Sequence, residues 1–237
     1  MIPDKEADGM EHLSDCVLFR DLAPEALSSA LRFFDAQERI YPRGSVLKSA
    51  EARLSAFGLV LSGLVRVSMT DIDGREMLLS LVGAGQTFGE ALCYLNEDAP
   101  ILIEAASDIR ILWLHCEGLR RAPQNDEEAL LQQRFSAMLA KRTLKMNDRI
   151  QILSRLGIRE KLMAFFTECA RDAGSNVFDV PFNRAGMAAY LGVDQSALSR
   201  VLSQMQAQGI LRRRKNHFEL LGGGENQNSV ANANDNA

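Results

Sequence analysis

The chain is poor in the residues that metal and redox chemistry need. Histidine occurs three times, tryptophan once and cysteine four times in 237 residues. Cys16, Cys93, Cys116 and Cys169 are spread so widely that no CxxC-type zinc or thioredoxin motif exists. In a reducing compartment they read as free thiols, mostly buried. No apolar run approaches the roughly 20 residues of a membrane span. Residues 1–8 lack the basic-then-apolar signature of a secretory leader. The expected location is therefore the cytoplasm, with no membrane partner. No phosphate-binding glycine loop and no nucleophile–base arrangement is visible. The chain is therefore not expected to be an enzyme.

What is present concentrates near the C-terminus. Over residues 184–201, Ala188 is small where two helices must cross, and Gly192 stands where the chain must turn. Asp194 is a good N-cap for a second helix. On that helix Ala197, Leu198, Val201 and Met205 fall on one face, which leaves Gln195, Ser196, Ser199 and Arg200 outward. This is a helix-turn-helix pattern. Isolated, it also fits many all-α domains, but a hairpin pattern follows over residues 210–220. Its tip, Arg213-Arg214-Lys215-Asn216, is basic, and Arg212, Arg213, Arg214 and Lys215 are the expected wing contacts to DNA. Helix-turn-helix plus basic wing predicts a winged helix. Its second helix would enter a major groove, and its wing would meet phosphates. The charge distribution agrees: residues 155–221 carry net +4, residues 1–154 carry −6 and the tail −2. A basic module on an acidic carrier suits nucleic-acid binding at one end.

Upstream, a short helical stretch spans residues 10–34, with a helix starting near Pro24. From residue 38 to 116, turn signals alternate with short apolar runs such as 58–61, 64–69 and 77–82. This predicts an all-β barrel or jelly roll, with Asp73-Gly74 as a hairpin turn. Residues 124–154 read as one long helix without glycine or proline. Its stripe of Leu131, Phe135, Met138 and Leu139 continues through Met146, Ile150 and Leu153. That is more apolar surface than one barrel needs, so part of it is expected to pair with a second copy; a purely intramolecular core helix is the other reading. Gly157 is a plausible hinge before a helix over residues 159–173. Residues 222–237 are glycine-led and asparagine-rich, the composition of a disordered tail.

The order of β-roll, long helix and winged helix resembles the CRP/FNR family of bacterial transcription regulators over residues 15–220. Residues 61–67, 73–78 and 85–90 look like that family's successive β-roll strands and turns, and Leu198-Ser199-Arg200 matches its recognition helix. The resemblance implies an α+β chain in four parts. Residues 1–123 would be an effector-sensing, cyclic-nucleotide-binding-like β-roll and 124–154 a dimerisation helix. Residues 155–221 would be the DNA-binding winged helix-turn-helix, and 222–237 the tail. It also implies a homodimer on a two-fold-symmetric operator in double-stranded DNA, and RNA polymerase as a partner if the protein activates. Arg200 would read guanine and Gln195 adenine. Ser196 replaces an acidic family residue, so the half-site should differ.

Departures from the family pattern bear on the effector. The pocket by resemblance is Phe88, Gly89, Glu90, Ala91, Cys93, Pro100, Ile101, Met146 and Asn147. Cyclic-nucleotide-binding relatives carry an Arg-Ser or Arg-Thr pair where Pro100-Ile101 stands. No cation lies between Glu90 and Glu104. A cyclic phosphate would face Glu90, Glu97, Asp98 and Glu104 with no local positive partner, which argues against cyclic AMP. The family's closely spaced N-terminal cysteines are missing, which argues against an iron–sulfur cluster. Haem with nitric oxide or carbon monoxide, an apolar or uncharged molecule, or no effector remain open. His115 and His12 are the haem-ligand candidates, each also readable as a structural histidine; His217 falls in the wing. Cys93 has no basic neighbour in sequence and reads as buried, not as a redox sensor. Two non-regulator readings are a ligand-binding module without DNA contact and a cupin-like enzyme. The latter lacks its ligand set, since only His115 lies in the β region.

Overall fold

A computed structural model of the protein describes residues 13–50, 52–70 and 76–221. It divides into two compact units, 1–150 and 151–237. The Asp73-Gly74 turn, His12 and the 222–237 tail lie outside the described residues.

In the first unit, helix α1 (Pro24–Phe33) has proline in its first turn as expected. Eight strands follow: β1 (Gln37–Tyr41), β2 (Val46–Lys48), β3 (Ala56–Ser62), β4 (Val65–Thr70), β5 (Glu76–Val82), β6 (Thr87–Phe88), β7 (Ile101–Ala105) and β8 (Ile109–His115). They form two antiparallel sheets, ordered β1-β8-β3-β6 and β2-β7-β4-β5. Helix α2 (Glu90–Leu95), which the sequence reading did not anticipate, separates β6 from β7, and α3 (Glu117–Arg120) follows β8.

Strand β3 is buried on both faces, which explains why it reads as a continuous apolar run instead of an alternating one. Phe57, Leu59 and Leu61 join Leu112 and Leu114 in a core beneath the helices. Val60, Ile109 and Ile111 turn the other way, into the roll, against Val65, Val82, Phe88 and Ile103. The period-2 alternation of strand side chains thus splits one sheet between two cores. The roll interior is closely filled. A Cβ built on Gly58 would lie 2.2 Å from the fully buried Phe88 ring. Phe88 meets Trp113 edge-on at 5.5 Å, and the Trp113 indole N–H donates to the Tyr41 hydroxyl at 3.0 Å.

The long helix α4 (Asp126–Leu153) corrects the single-stripe expectation. Leu131 and Phe135 are buried in the roll's helical core, with Met138 and Leu139 packed against it. Met146 and Ile150 are each 60 % exposed. The first half of the stripe therefore serves this chain's own roll.

The second unit comprises α5 (Ile158–Ala173), β9 (Val177–Asp179), α6 (Arg184–Leu191), α7 (Gln195–Ala207), β10 (Leu211–Arg214) and β11 (His217–Leu220). Its sheet runs β10-β11-β9, and β9 was not anticipated. Gly157 caps α5 with an extended backbone, φ −92°. An aromatic cluster fills the centre. Phe166 lies 4.7 Å from Phe218, which stacks on Phe178, while Phe165 and Phe182 pack on Tyr190. The expected β-roll, long helix and winged helix-turn-helix are all present.

Gly58→Ala should destabilise the first unit by about 1–3 kcal/mol through overpacking against Phe88. Urea unfolding followed by Trp113 fluorescence measures this, and an unchanged midpoint would contradict the packed interior.

Candidate DNA interface and effector region

The helix-turn-helix is built from local signals. Asn183 caps α6, its Oδ1 accepting from the Gly186 N–H at 2.8 Å. Gly192 ends that helix at φ 62°, a left-handed conformation that costs glycine little. Asp194 caps α7, accepting from the Ala197 N–H at 2.8 Å and the Ser196 hydroxyl at 2.5 Å. These two bonds, the hydroxyl's first, hold its carboxyl below the usual carboxylate range. Leu198, Leu202 and Met205 form the buried face. Val201 is only half-buried, and Leu202 takes the inward place that was expected of Val201. Gln195, Ser196 and Arg200 are exposed, and Ser199 is half-buried. Both serine hydroxyl protons are committed internally, since Ser199 donates to the Gln195 carbonyl at 2.9 Å.

The wing is narrower than the sequence suggested. Arg213 and Arg214 belong to strand β10, and the tip is Lys215-Asn216, with Lys215 left-handed at φ 55°. The four basic side chains divide. Arg212 lies 3.6 Å from Glu219. Arg213 turns back onto α7, donating to Gln206 and Ser203 at 3.2 Å each. Arg214 and Lys215 are exposed. The sequence reading missed Arg184. Its guanidinium lies 5.2 Å over the Phe218 ring and donates to the Lys215 carbonyl at 2.9 Å, which holds the tip from behind. Burial first, and then the Arg213 charge, pull the Arg184 pKa down. His217 pairs with Asp179 at 3.0 Å.

In the roll, Gly89 is left-handed at φ 81° and starts α2; a Cβ there would also meet Leu54 at 2.6 Å. Glu90 is 2 % exposed. Arg142 of α4 reaches both its oxygens, at 2.5 and 2.7 Å, and also donates to the Thr87 carbonyl at 3.1 Å. The Thr87 hydroxyl donates to Glu90 as well. Beside β7, Lys48 is 2 % exposed. Its ammonium donates to the carbonyls of Ala99, Ser49 and Ile101 at 2.8, 2.9 and 3.3 Å, with Asp98 at 3.6 Å. Three donors meeting three carbonyls leave that ammonium saturated.

These contacts correct two expectations. Three of the four acids of this region do have positive partners: Arg142 for Glu90, Lys48 for Asp98, and Arg66 for Glu104 at 4.0 Å. They come from elsewhere in the chain, which the sequence window could not show. The end of the region near Pro100-Ile101 is likewise not purely apolar, because Lys48 lies against it. The structure also does not gather all the pocket candidates. Phe88, Glu90 and Cys93 are buried and Ile101 half-buried, but Ala91 and Pro100 are exposed, as are Met146 and Asn147 on α4. Cys93 is buried as expected, but the fold brings Arg120 beside it. His115 is half-buried at the end of β8, its backbone N–H bonded to the Phe34 carbonyl at 2.7 Å. Among the described residues, no group of three or more His, Cys, Asp or Glu could hold a metal ion. No helix among them is long and apolar enough to cross a membrane.

Two family models match the chain in tandem: the cyclic nucleotide-binding domain over residues 38–126 and the Crp-like helix-turn-helix domain over 160–222. The chain is 29 % identical over 199 residues to the Cyclic AMP receptor protein of Thermus thermophilus, covering 82 % of this chain and 88 % of that one. It is 23 % identical to the cAMP-activated global transcriptional regulator CRP of Haemophilus influenzae, over 72 % of this chain and 78 % of the relative. Among solved structures, FixK2 from Bradyrhizobium japonicum superposes with a TM-score of 0.63 at 23 % identity, covering 78 % of this chain and 92 % of that one. The regulator CLP of Xanthomonas campestris superposes at 0.64 and 19 % identity, covering 83 % and 100 %. Tandem domain matches, the order of the elements and the helix-turn-helix geometry converge: the chain belongs to the CRP/FNR family of DNA-binding transcription regulators.

Proposed function

We propose that two copies of this chain pair through the long helix and read a two-fold-symmetric operator, and that the roll answers to an effector other than cyclic AMP or to none. The observation that carries the effector reading is the saturation of Lys48 and the engagement of Arg142 with Glu90. A cyclic phosphate needs a cation it need not share, because desolvating its charge without one is costly. Neither Pro100 nor Ile101 supplies one. An uncharged or apolar molecule makes no such demand. Haem is the second reading, with His115 as its described ligand candidate.

Pairing is supported by the outer face of α4. Ala137, Ala140, Leu144 and Asn147 are exposed at three- and four-residue spacing, the a/d pattern of a coiled-coil seam, and Leu144 is 64 % exposed. DNA reading is supported by Gln195 and Arg200, exposed on α7. Arg200 offers the planar fork that pairs with guanine, and Gln195 the amide that pairs with adenine. The exposure of Arg214 and Lys215 supports them as the phosphate contacts, while Arg213 bonds back to α7 and Arg212 lies toward Glu219. RNA polymerase is the further partner of an activating dimer.

Four measurements test this. Isothermal titration with cyclic AMP should show no binding, and saturable micromolar binding would overturn the effector reading. An anaerobic ultraviolet–visible spectrum with iron analysis separates the haem reading, which requires a Soret band and stoichiometric iron. Leu144→Glu should shift the scattering mass from dimer to monomer. Operators selected from random DNA by the wild-type protein should lose roughly 1–3 kcal/mol of affinity per guanine contacted with Arg200→Ala. Arg214→Ala and Lys215→Ala should instead weaken all sequences alike and flatten the salt dependence.

A linked pH effect follows from the Asp194 cap. Its folded pKa is depressed, so the stability it contributes is present above the unfolded carboxyl pKa and is lost as pH falls through the folded value. The protection of the Ala197 N–H, after correction for its intrinsic exchange rate, should fall on acidification across that range, and Asp194→Ala should abolish that fall.

A further inference from the structure

The outward face of α7 carries hydroxyl groups whose protons are already placed, and that placement decides what each group offers to a base. Ser196 is exposed in the first turn of the helix. Its hydroxyl donates to Asp194 Oδ1 at 2.5 Å. The same oxygen is pinned by the Ala197 N–H at 2.8 Å, the bond that caps the helix, so the carboxylate is not free to swing away. These two bonds also favour the ionised form of Asp194, which leaves the serine as the donor of the pair. A hydroxyl has one proton and two lone pairs. With its proton committed to Asp194, the Ser196 oxygen presents lone pairs alone.

Ser199 and Ser203 resemble Ser196 in form but not in strength. They donate to the carbonyls of Gln195 and Ser199, each at 2.9 Å. Both are neutral bonds to carbonyls that the helix ladder already serves, and a base can replace them. A hydrogen bond to an ionised acceptor is roughly twice as strong as a neutral one. Ser196 is therefore the hydroxyl on this face whose polarity is fixed before DNA arrives.

We infer that Ser196 acts as an acceptor-only reader, held so by Asp194 as its positioning residue, and selects the exocyclic amine of cytosine or adenine in the major groove. This rests on the proposed reading of DNA by α7. In that groove cytosine and adenine present amine donors, whereas guanine and thymine present keto oxygens. A lone pair facing a keto oxygen gains no bond. On the strand it touches, Ser196 thus sorts amino from keto bases without telling cytosine from adenine. Arg200 has the opposite polarity, since a guanidinium only donates. It stands four residues on, one turn along the same face. Two neighbouring readers of opposite polarity fix the register, because a shifted half-site sets one of them against a like group.

The test starts from operators that the full-length wild-type protein selects from random DNA. The base pair facing Ser196 is the one whose selectivity Ser196→Ala relaxes. Every base pair holds one amino and one keto base, so the two groups are deleted separately there. One duplex carries the analogue of cytosine or adenine without its amine, and the other the analogue of guanine or thymine without its keto oxygen. The lost base pairing affects all protein variants alike and cancels in the cycle. Removing the amine should weaken wild-type binding roughly 3- to 10-fold more than Ser196→Ala binding, the range of one hydrogen bond. Removing the keto oxygen should weaken both equally. Asp194→Asn keeps a good cap, so its unfolding midpoint should stay near wild type while its amine-dependent loss shrinks toward that of Ser196→Ala. An undiminished loss in Asp194→Asn would overturn the positioning role. A loss that follows the keto oxygen, or no base pair that responds to Ser196→Ala, would overturn the acceptor role. Arg200→Ala separates the two levels. If it still loses its guanine while Ser196→Ala changes nothing, this inference alone fails; if neither variant alters operator binding, the reading of DNA by α7 fails with it.

Discussion

A carboxylate that is 2 % exposed cannot keep its charge among apolar side chains without a counter-charge, and in this chain that carboxylate is Glu90. Its partner comes from α4, so the demand of one buried acid fixes where the long helix lies on its own roll. Two more arginines on the same helix repeat the arrangement with backbone acceptors. Arg134 donates to the carbonyls of Leu18 and Arg20 at 3.2 and 2.6 Å, and Arg149 to those of Leu78 and Leu79. Arg134, Arg142 and Arg149 recur at near-heptad spacing, so they line one face of the helix. Leu131 and Phe135 add apolar burial to that face. With one face anchored to the roll, the opposite one, around Ala140 and Leu144, stays clear.

The architecture was legible because it rests on local rules. Pro24 opens α1, Gly192 and Asp194 punctuate the helix-turn-helix, and apolar runs between turn signals mark most of the strands. The effector region was less legible because its chemistry is non-local. Lys48 bonds carbonyls around position 100, and Arg142 reaches back to Glu90. A sequence window centred on Glu90–Glu104 shows acids alone, and only the fold supplies their partners. Strand β9 was missed because three residues carry little periodicity, and its assignment depends on pairing with β11.

The winged helix shows how far composition can mislead about interfaces. Four consecutive basic residues look equivalent in sequence. In the fold, Arg212 is drawn toward Glu219, Arg213 is bonded to α7, and only Arg214 and Lys215 stand clear. Arg184, distant in sequence, holds the tip by its backbone. Positive charge in such a module is therefore partly structural, spent on the geometry of the tip and not on a surface potential. The aromatic cluster beneath it, centred on Phe166 and Phe218, gives that geometry a rigid base.

The Lys48 ammonium also constrains which sequences are reachable from this one. Ile101 supplies one of its carbonyl acceptors and, on the family resemblance, is one of the two positions expected to answer to the phosphate pair of cyclic-nucleotide-binding relatives. An arginine introduced at the half-buried position 101 while Lys48 stays in place would set two cations against each other. Removing Lys48 first would strip three backbone carbonyls of their donor. Each single step is unfavourable, and only the paired exchange avoids both costs. Lys48 and position 101 are thus coupled, and a change at either one alters the surroundings of the other.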